Sequence, residues 1–547
     1  MYKGKVKSNL LIFVMVFVVL LFLFTSGCTT KTNVEEEEND TPSPKGGEVI
    51  DEVSSDVSTE SLTFWIVSNP DVLATETSLN DTPYAKAVKE ATGINVTYIH
   101  PPVGQETEQF NLLVASQQLP DIINWNWISY PGGPQKAIND NVIISLNDIL
   151  ENGKAPNLAK VYSERPEFDK LAKLDNGTYF CFPLMRFDDI LNTYVGPVLR
   201  KDWLEELEME PPMTIDEWYN VLKAFKDKKG ATAPISFEDW TISSTNAFVG
   251  AYGSGRGFLL IDGKVKFGPI EPGYKEYLTL FNKWYQEGLL DPEWITQDRK
   301  AIDAKITGSQ TGAYLGTPDS WIGTYTRLMK EVDPNVDFVG VPNPRLNKND
   351  PPPFNQKDWS VMLNNNNNAG ISTACKNVDL AAKLLDFQYG EEGMTLGNYG
   401  IEGESYTLVD GKPIFTELIK ENKDGLTMKQ AMARYLTNGL GGYPGVQLKD
   451  PVWQQRLFPC QNLAIEAWMD GNPDWRIPPV SPTEEESSRF ANIMTEVNTY
   501  VEEMHTNFII GQEPLDNYDI FVDNLNKFGI QDAIKINQDA LDRFNSR

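Results

Sequence analysis

The sequence predicts an α/β fold built around a parallel sheet, and three observations carry that prediction. Apolar runs at Leu62–Val67, Ile94–Ile99 and Asp121–Asn124 alternate with helical stretches at Pro83–Thr92 and Glu106–Gln118. Strand, helix, strand, helix, strand is the order that crossover connections impose on parallel strands. Thirteen Trp, 21 Tyr and 26 Phe are enough for a large core, and 547 residues suggest two or three domains.

Each element has a local cause. Leu62–Val67 (LTFWIV) reads as a buried strand, and Gly93 stops the short helix before the next strand, INVTYI. Further on, Thr214-Ile215-Asp216-Glu217 is a capping box opening a helix with Trp218, Leu222 and Phe225 on one face. Tyr274, Tyr277, Leu278, Phe281 and Trp284 form a second apolar stripe, ended by Gly288. Asp262-Gly263 and Asp410-Gly411 supply the positive φ angles of two hairpin turns. The C-terminal part is helical from about Glu484 to Met504 and again after Ile530, and Asn364–Asn368 reads as a loop.

The first sixty residues have a different texture. Lys3, Lys5 and Lys7 precede fifteen apolar residues, Leu10 to Phe24, and then Thr25-Ser26-Gly27-Cys28. Fifteen helical residues cover about 22 Å, short of a hydrocarbon core of about 30 Å, so residues 1–27 read as a secretory signal rather than a span. The pattern resembles a bacterial lipoprotein signal, with Thr25 where such signals usually carry Leu. It implies that Cys28 is lipidated and becomes the new N-terminus. Residues 28–60, with the run Glu35 to Glu38 and almost no large apolar residues, cannot bury enough surface to fold. They read as a disordered acidic tether holding a globular body off the outer face of the membrane.

Charge narrows the partners. The chain carries a formal −29, and removing residues 1–27, which hold three lysines and no acid, lowers that to −32. Nucleic acid is excluded, because phosphate binding needs basic patches. Electrostatic adhesion to anionic lipid is disfavoured, which leaves acyl chains on Cys28 as the membrane attachment. Long-range steering favours a neutral ligand over an acidic polymer.

Reactive chemistry is sparse. Beyond Cys28 only Cys181, Cys375 and Cys460 remain, too few and too far apart for a disulfide framework or a CxxC metal site, so buried free thiols are expected. The two histidines, His100 and His505, have no partner that suggests a metal or a nucleophile. Nucleophile-elbow, zincin, P-loop and EF-hand motifs are missing from the sequence. No cofactor or metal is expected. Paired carboxylates such as Asp188-Asp189 read as solvated surface in so acidic a chain, and glycosidase chemistry needs a carboxylate separation that spacing alone does not give.

Aromatic placement is more suggestive. Trp125 and Trp127 directly follow a predicted strand, and ligands of open parallel sheets bind beyond the carboxyl ends of strands. Trp321 follows the apolar run Gly312–Gly316, while Trp240, Trp359 and Trp453 lie in Gly/Pro-rich or polar loops rather than on helical stripes. An indole face suits the C–H face of a pyranose, and neighbouring Asp, Glu, Asn or Arg can ligate its hydroxyls. The alternative is that each tryptophan plugs its own lobe.

Several segments then resemble one family. Glu90-Ala91-Thr92-Gly93-Ile94-Asn95-Val96 and Ala115–Ile123 (ASQQLPDII) are similar to the first lobe of family 1 extracellular solute-binding proteins, the substrate-capturing lipoproteins of carbohydrate ABC importers. Arg200–Leu204, Thr214–Phe225 and Gly288–Trp294 resemble the second lobe of a long, Gram-positive, oligosaccharide-type subgroup. Tyr399–Thr407 (YGIEGESYT) is its most particular mark, and Gln538–Phe544 is typical of its tail. The resemblance implies a two-lobed periplasmic-binding-protein-like fold with a three-crossing hinge and a ligand cleft between the lobes. Crossings are expected near 182–191, 316–320 and 364–370. That gives lobe one as 61–185 plus 318–366 and lobe two as 188–316 plus 370–547. It further implies an oligosaccharide ligand, permease subunits as partners, a monomer, and Trp321, Tyr399 and Glu402 at the cleft. Trp125, Trp127, Arg186, Trp240 and Trp453 join them from the reading of the residues alone. Some relatives carry a calcium loop with alternating acids, to which this sequence has no clear counterpart. The competing function is a surface-tethered glycoside hydrolase or lyase using carboxylates such as Asp188 or Glu402.

The anchor is directly testable. In a Gram-positive-type host, Cys28→Ala should release the protein into the medium, because two acyl chains hold stably where one is marginal. Retention on membranes after a high-salt wash would refute the lipoprotein reading.

Overall fold

Two sheets organise the chain in the computed structural model, which describes residues 61–547 apart from Gln356. The expected signal, Cys28 and the tether lie outside the described residues. Strands β1 (Ser61–Trp65), β2 (Asn95–Ile99), β3 (Ile122–Asn124) and β4 (Phe182–Arg186) come first, then β5 (Gly196–Arg200) and β6 (Ile235–Ser236). A hairpin of β7 (Phe258–Ile261) and β8 (Lys264–Phe267) precedes β9 (Ala313–Gly316) and β10 (Phe338–Gly340). The last strands are β11 (Asn368–Ile371), the hairpin β12 (Tyr406–Val409) and β13 (Lys412–Phe415), and β14 (Gly445–Gln447).

The six-stranded sheet has the order β14-β4-β11-β3-β1-β2, and the four-stranded sheet β10-β5-β9-β6. Strands β1, β2 and β3 are parallel, with Leu62 opposite Val96 and Phe64 opposite Ile122. The sheet as a whole is mixed, not parallel as expected. Strand β11 runs antiparallel between β3 and β4 because it enters from the other lobe instead of through a crossover helix.

Local signals set many boundaries. Gly93 caps the Pro83–Thr92 helix at φ +73°, and Gln117 ends the Glu106–Ser116 helix at φ +55°. The capping box is complete, with Glu217 N–H donating to Thr214 Oγ1 at 3.2 Å and Thr214 N–H to Glu217 Oε2 at 3.1 Å. Both Asp-Gly turns take positive φ at both residues. The stripe from Tyr274 to Trp284 is fully buried in the second core, and Leu62, Phe64, Ile122 and Ile123 anchor the first. The long helix runs from Glu484 to Ile510, six residues past the expected end, and a further helix, Tyr518–Phe528, has no counterpart in the sequence reading.

The chain passes between the sheets three times, through 187–195, 341–367 and 448–458, the last leading into the Pro459–Trp468 helix that packs on β10 and β5. The pairing corrects the expected segment assignment. Residues 318–340 belong with the second sheet, since β10 pairs with β5 and Trp321, Tyr325, Met329 and Phe338 share a core with Val198. The segments 368–371 and 445–447 belong with the first sheet, through β11 and β14. The physical reason is that Thr317 and Pro318 do not leave the lobe: the chain turns at the end of β9 and its next helix packs back against the same sheet.

Two glycines let the Pro459–Trp468 helix lie flat on the second sheet. A Cβ on Gly340 would stand 2.4 Å from Ala464 Cβ, and one on Gly196 would stand 2.5 Å from the Trp468 ring. Gly340→Ala should therefore cost about 1–3 kcal/mol through overpacking, read as a lower thermal midpoint. An unchanged midpoint would mean that helix and sheet are not in contact there.

Candidate functional site

The carboxyl end of β6 leads into Glu238, Asp239 and Trp240, the position beyond a sheet where ligands bind. Trp240 opens the short Asp239–Thr245 helix, is 41 % exposed, and donates its indole N–H to Glu238 Oε2 at 2.8 Å. That bond fixes the ring's edge, and the side chain stays partly open to solvent. It borders a cavity of about 530 Å³, whose polar wall includes Ser243, Ser244 and Asn364 and whose apolar wall includes Phe258 and Phe354. Tyr194, from the first crossing, is a second, partly exposed aromatic of the lining.

The charged groups of the cavity are largely paired. Arg256 is buried and bridges Asp239 Oδ1 at 2.6 Å and Glu502 Oε2 at 2.8 Å. Asp358 accepts from Arg186 Nη1 at 2.9 Å. Burial pushes the Asp358 carboxyl above its ordinary range, and the Arg186 charge and hydrogen bond oppose that shift. Tyr194 is pushed up to about 12, first by burial and then by the Asp358 charge.

A second cavity of about 550 Å³ lies beyond the ends of β1 and β9, with Asp71 on one side and Asp319, Ser320 and Arg327 on the other. Trp453 stands behind it, half-buried between Lys449 and Arg456, and Arg456 reaches Asp319 at 3.0 Å.

Most of the sequence-selected aromatics lie elsewhere. Trp125 stacks on Phe110 at 4.1 Å and meets Trp65 edge-on. Trp127 is fully buried and donates to the Asn368 carbonyl at 2.9 Å. Both follow a strand's carboxyl end as read, yet both turn back into the first core because Phe110 and Asn368 offer partners there. Trp321 is 1 % exposed, stacked on Tyr314 at 5.7 Å with the Arg299 guanidinium 4.0 Å from its ring centre. Neither Trp127 nor Trp321 has a free face for a ligand. Tyr399 is buried under the β12–β13 hairpin and donates to Asp450 Oδ2 at 3.1 Å, while Glu402 is exposed in the loop before β12. Arg186 lies behind the first cavity, holding Asp358 and, through Nε, Gln447 Oε1 at 3.1 Å. Of the eight, Trp240 is the one in the lining of the first cavity.

The sequence reading missed Tyr194, Arg256, Lys357, Asp358 and Glu502. The polar loop around Trp359 was a usable signal for Lys357 and Asp358. The others come from three distant segments. His505 is buried, with Nδ1 2.9 Å from Tyr274 Oη and its pKa held well below the ordinary value by burial; His100 Nδ1 lies 2.8 Å from the Ile66 carbonyl. Cys181, Cys375 and Cys460 are buried free thiols.

Comparisons with known proteins give a consistent picture. The model of the bacterial extracellular solute-binding protein family matches residues 76–395. Lipoprotein LipO of Bacillus subtilis is 26% identical over 383 residues, covering 66% of this chain and 71% of LipO. The fructooligosaccharide ABC transporter substrate-binding protein FusA of Streptococcus pneumoniae is 25% identical over 465 residues, covering 80% and 82%. An HMO-binding, ABC-transporter-associated solute-binding protein from Bifidobacterium longum infantis superposes with a TM-score of 0.72 at 19% identity, covering 89% of this chain and 99% of that one.

The two exposures separate Trp321 from Trp240. Trp321→Ala should cost about 3–5 kcal/mol of stability, as other core tryptophans do, whereas Trp240→Ala should leave the thermal midpoint nearly unchanged. Equal midpoints for the two variants would return Trp321 to the list of surface residues.

Proposed function

This chain belongs to the bacterial extracellular solute-binding proteins, and from that premise we propose that it captures an oligosaccharide for an ABC importer, tethered outside the cell through lipid on Cys28. The observation that carries the reading is the partly exposed indole of Trp240 in the lining of a cavity of about 530 Å³ with hydroxyl, amide and charged groups in its walls. An indole face accepts the C–H face of a sugar, and the polar walls exchange hydrogen bonds with its hydroxyls. The relatives named for oligosaccharides support the same ligand class.

Capture works through the hinge. The three crossings join two lobes with separate cores, so each lobe moves as a body. A ligand that touches both lobes stabilises the closed form by its differential affinity for that form. The permease then reads the closed lobes, and a single chain is sufficient for the site.

Hydrolysis is disfavoured by the charges. A glycosidase needs two carboxyl groups free to act as acid and base or nucleophile. Asp358 and Glu502 are each held in an ion pair, and neither Asp188 nor Glu402 lines the cavity.

A thermal-shift screen against oligosaccharides tests the reading, since a ligand at 100 times its dissociation constant adds about 2.7 kcal/mol. The ligand found should reduce the radius of gyration in small-angle scattering. Trp240→Ala should then weaken it about thirtyfold, about 2 kcal/mol. Release of shorter sugars by the purified protein, or full affinity in the Trp240 variant, would overturn it.

A further inference from the structure

The wall of the Trp240 cavity contains a buried ammonium with poor acceptors. Lys357 lines the cavity and is 5 % exposed. Its Nζ lies 3.4 Å from Met469 Sδ, a weak acceptor, and 3.9 Å from Asp189 Oδ2. The Asp189 side chain is 61% exposed, so water screens much of what it could contribute.

The neighbouring charges are committed elsewhere. Asp358 is held by Arg186, and Glu502 by Arg256. Arg476 donates to the carbonyls of Asp358 and Pro473. Lys357 is therefore the cation of this wall whose partners are weakest. Leaving a buried charge short of acceptors is costly, and burial accordingly holds its pKa below the ordinary value. A sugar hydroxyl arriving here would give one dipole. An anion would give a full opposite charge and a short charge-assisted hydrogen bond.

We infer that Lys357 receives a carboxylate of the bound sugar, so that this cavity selects an oligosaccharide containing a uronic acid. The inference rests on the oligosaccharide reading of the cavity. A pyranose stacked on Trp240 directs its C5 substituent outward from the ring edge, toward a side wall. The chain's −29 charge does not oppose this at contact. Exposed charges are screened over about 8 Å at physiological salt, so the distant acids slow the encounter while the buried ammonium decides the bound state. At Lys357 itself an anion is favoured over a hydroxyl, against the preference for a neutral ligand drawn from net charge.

The test compares ligands that differ only in charge. Tetragalacturonate, tetramannuronate and their methyl esters, with a neutral fructan tetrasaccharide, are titrated calorimetrically into the wild-type protein at pH 7. One acid should bind at least tenfold more tightly than its own ester. K357M should erase that ratio and K357R should keep most of it; the wild-type ratio stands even if a variant fails to fold. Binding of the fructan or an ester with no advantage for any acid, or a K357M loss equal for acid and ester, would overturn the inference and leave the importer reading intact. No binding of any of the five would count against both.

Discussion

One guanidinium holds the hinge together. Arg186 ends β4, where the first crossing begins; its Nη1 donates to Asp358 in the second crossing and its Nε to Gln447, where the third begins. All three passages between the lobes thus meet at a single side chain that is mostly buried. Such a pair contributes little net stability over an apolar replacement, yet breaking one partner leaves a buried charge, which is strongly unfavourable. The geometry of the cavity depends on it, because Asp358 is oriented by Arg186 and Lys357 is its chain neighbour.

A second fixed point sits at Asn368. Its side-chain N–H group donates to the carbonyls of Met362 at 3.0 Å and Asn365 at 2.7 Å. Its own carbonyl accepts from Trp125 N–H at 3.1 Å and the Trp127 indole at 2.9 Å. Asn126, between the two tryptophans, donates to the Asn364 carbonyl at 3.1 Å. The end of the second crossing is thereby tied to the end of β3. This explains why β11 enters antiparallel beside β3, why both indoles turn inward, and why Asn364 stands at the cavity's edge.

These two points also mark where the sequence ceases to be readable. Elements set by neighbours in the chain were legible: the capping box at Thr214, the cap at Gly93, the Asp-Gly turns and the stripe ending at Trp284 each depend on residues within a few positions. Sheet membership was not, because β10 and β11 are short runs whose partners lie over a hundred residues away. The run Asn364–Asn368 was read as a loop from composition, and nothing local distinguishes Asn368, which begins a buried strand, from the four before it. The site divides in the same way. Trp240 was read as a loop residue and stands in the first turn of a short helix beside the cavity, whereas Trp127 and Trp321 were selected for following strand-like runs and are buried. Only the partners that distant residues supply, Asn368 for one and Tyr314 with Arg299 for the other, distinguish a core indole from an open one.

The C-terminal helix adds a constraint on how the lobes can move. Ile530 and Ala533 at the start of the Ile530–Asn545 helix belong to the second core, and Phe544 near its end belongs to the first. Arg543 and Arg547 both reach Asp175 of the first lobe, at 2.8 and 2.6 Å. The ion pairs are individually weak where solvent reaches them, but the buried Phe544 contact would expose apolar surface if it opened. Any relative rotation of the lobes that parted Phe544 from the first core would expose that apolar surface to water, and one that parted Arg186 from Asp358 would leave a buried charge without its partner. Motions that keep both contacts avoid those two costs, so the helix and the Arg186 cluster together restrict the directions in which the lobes separate easily.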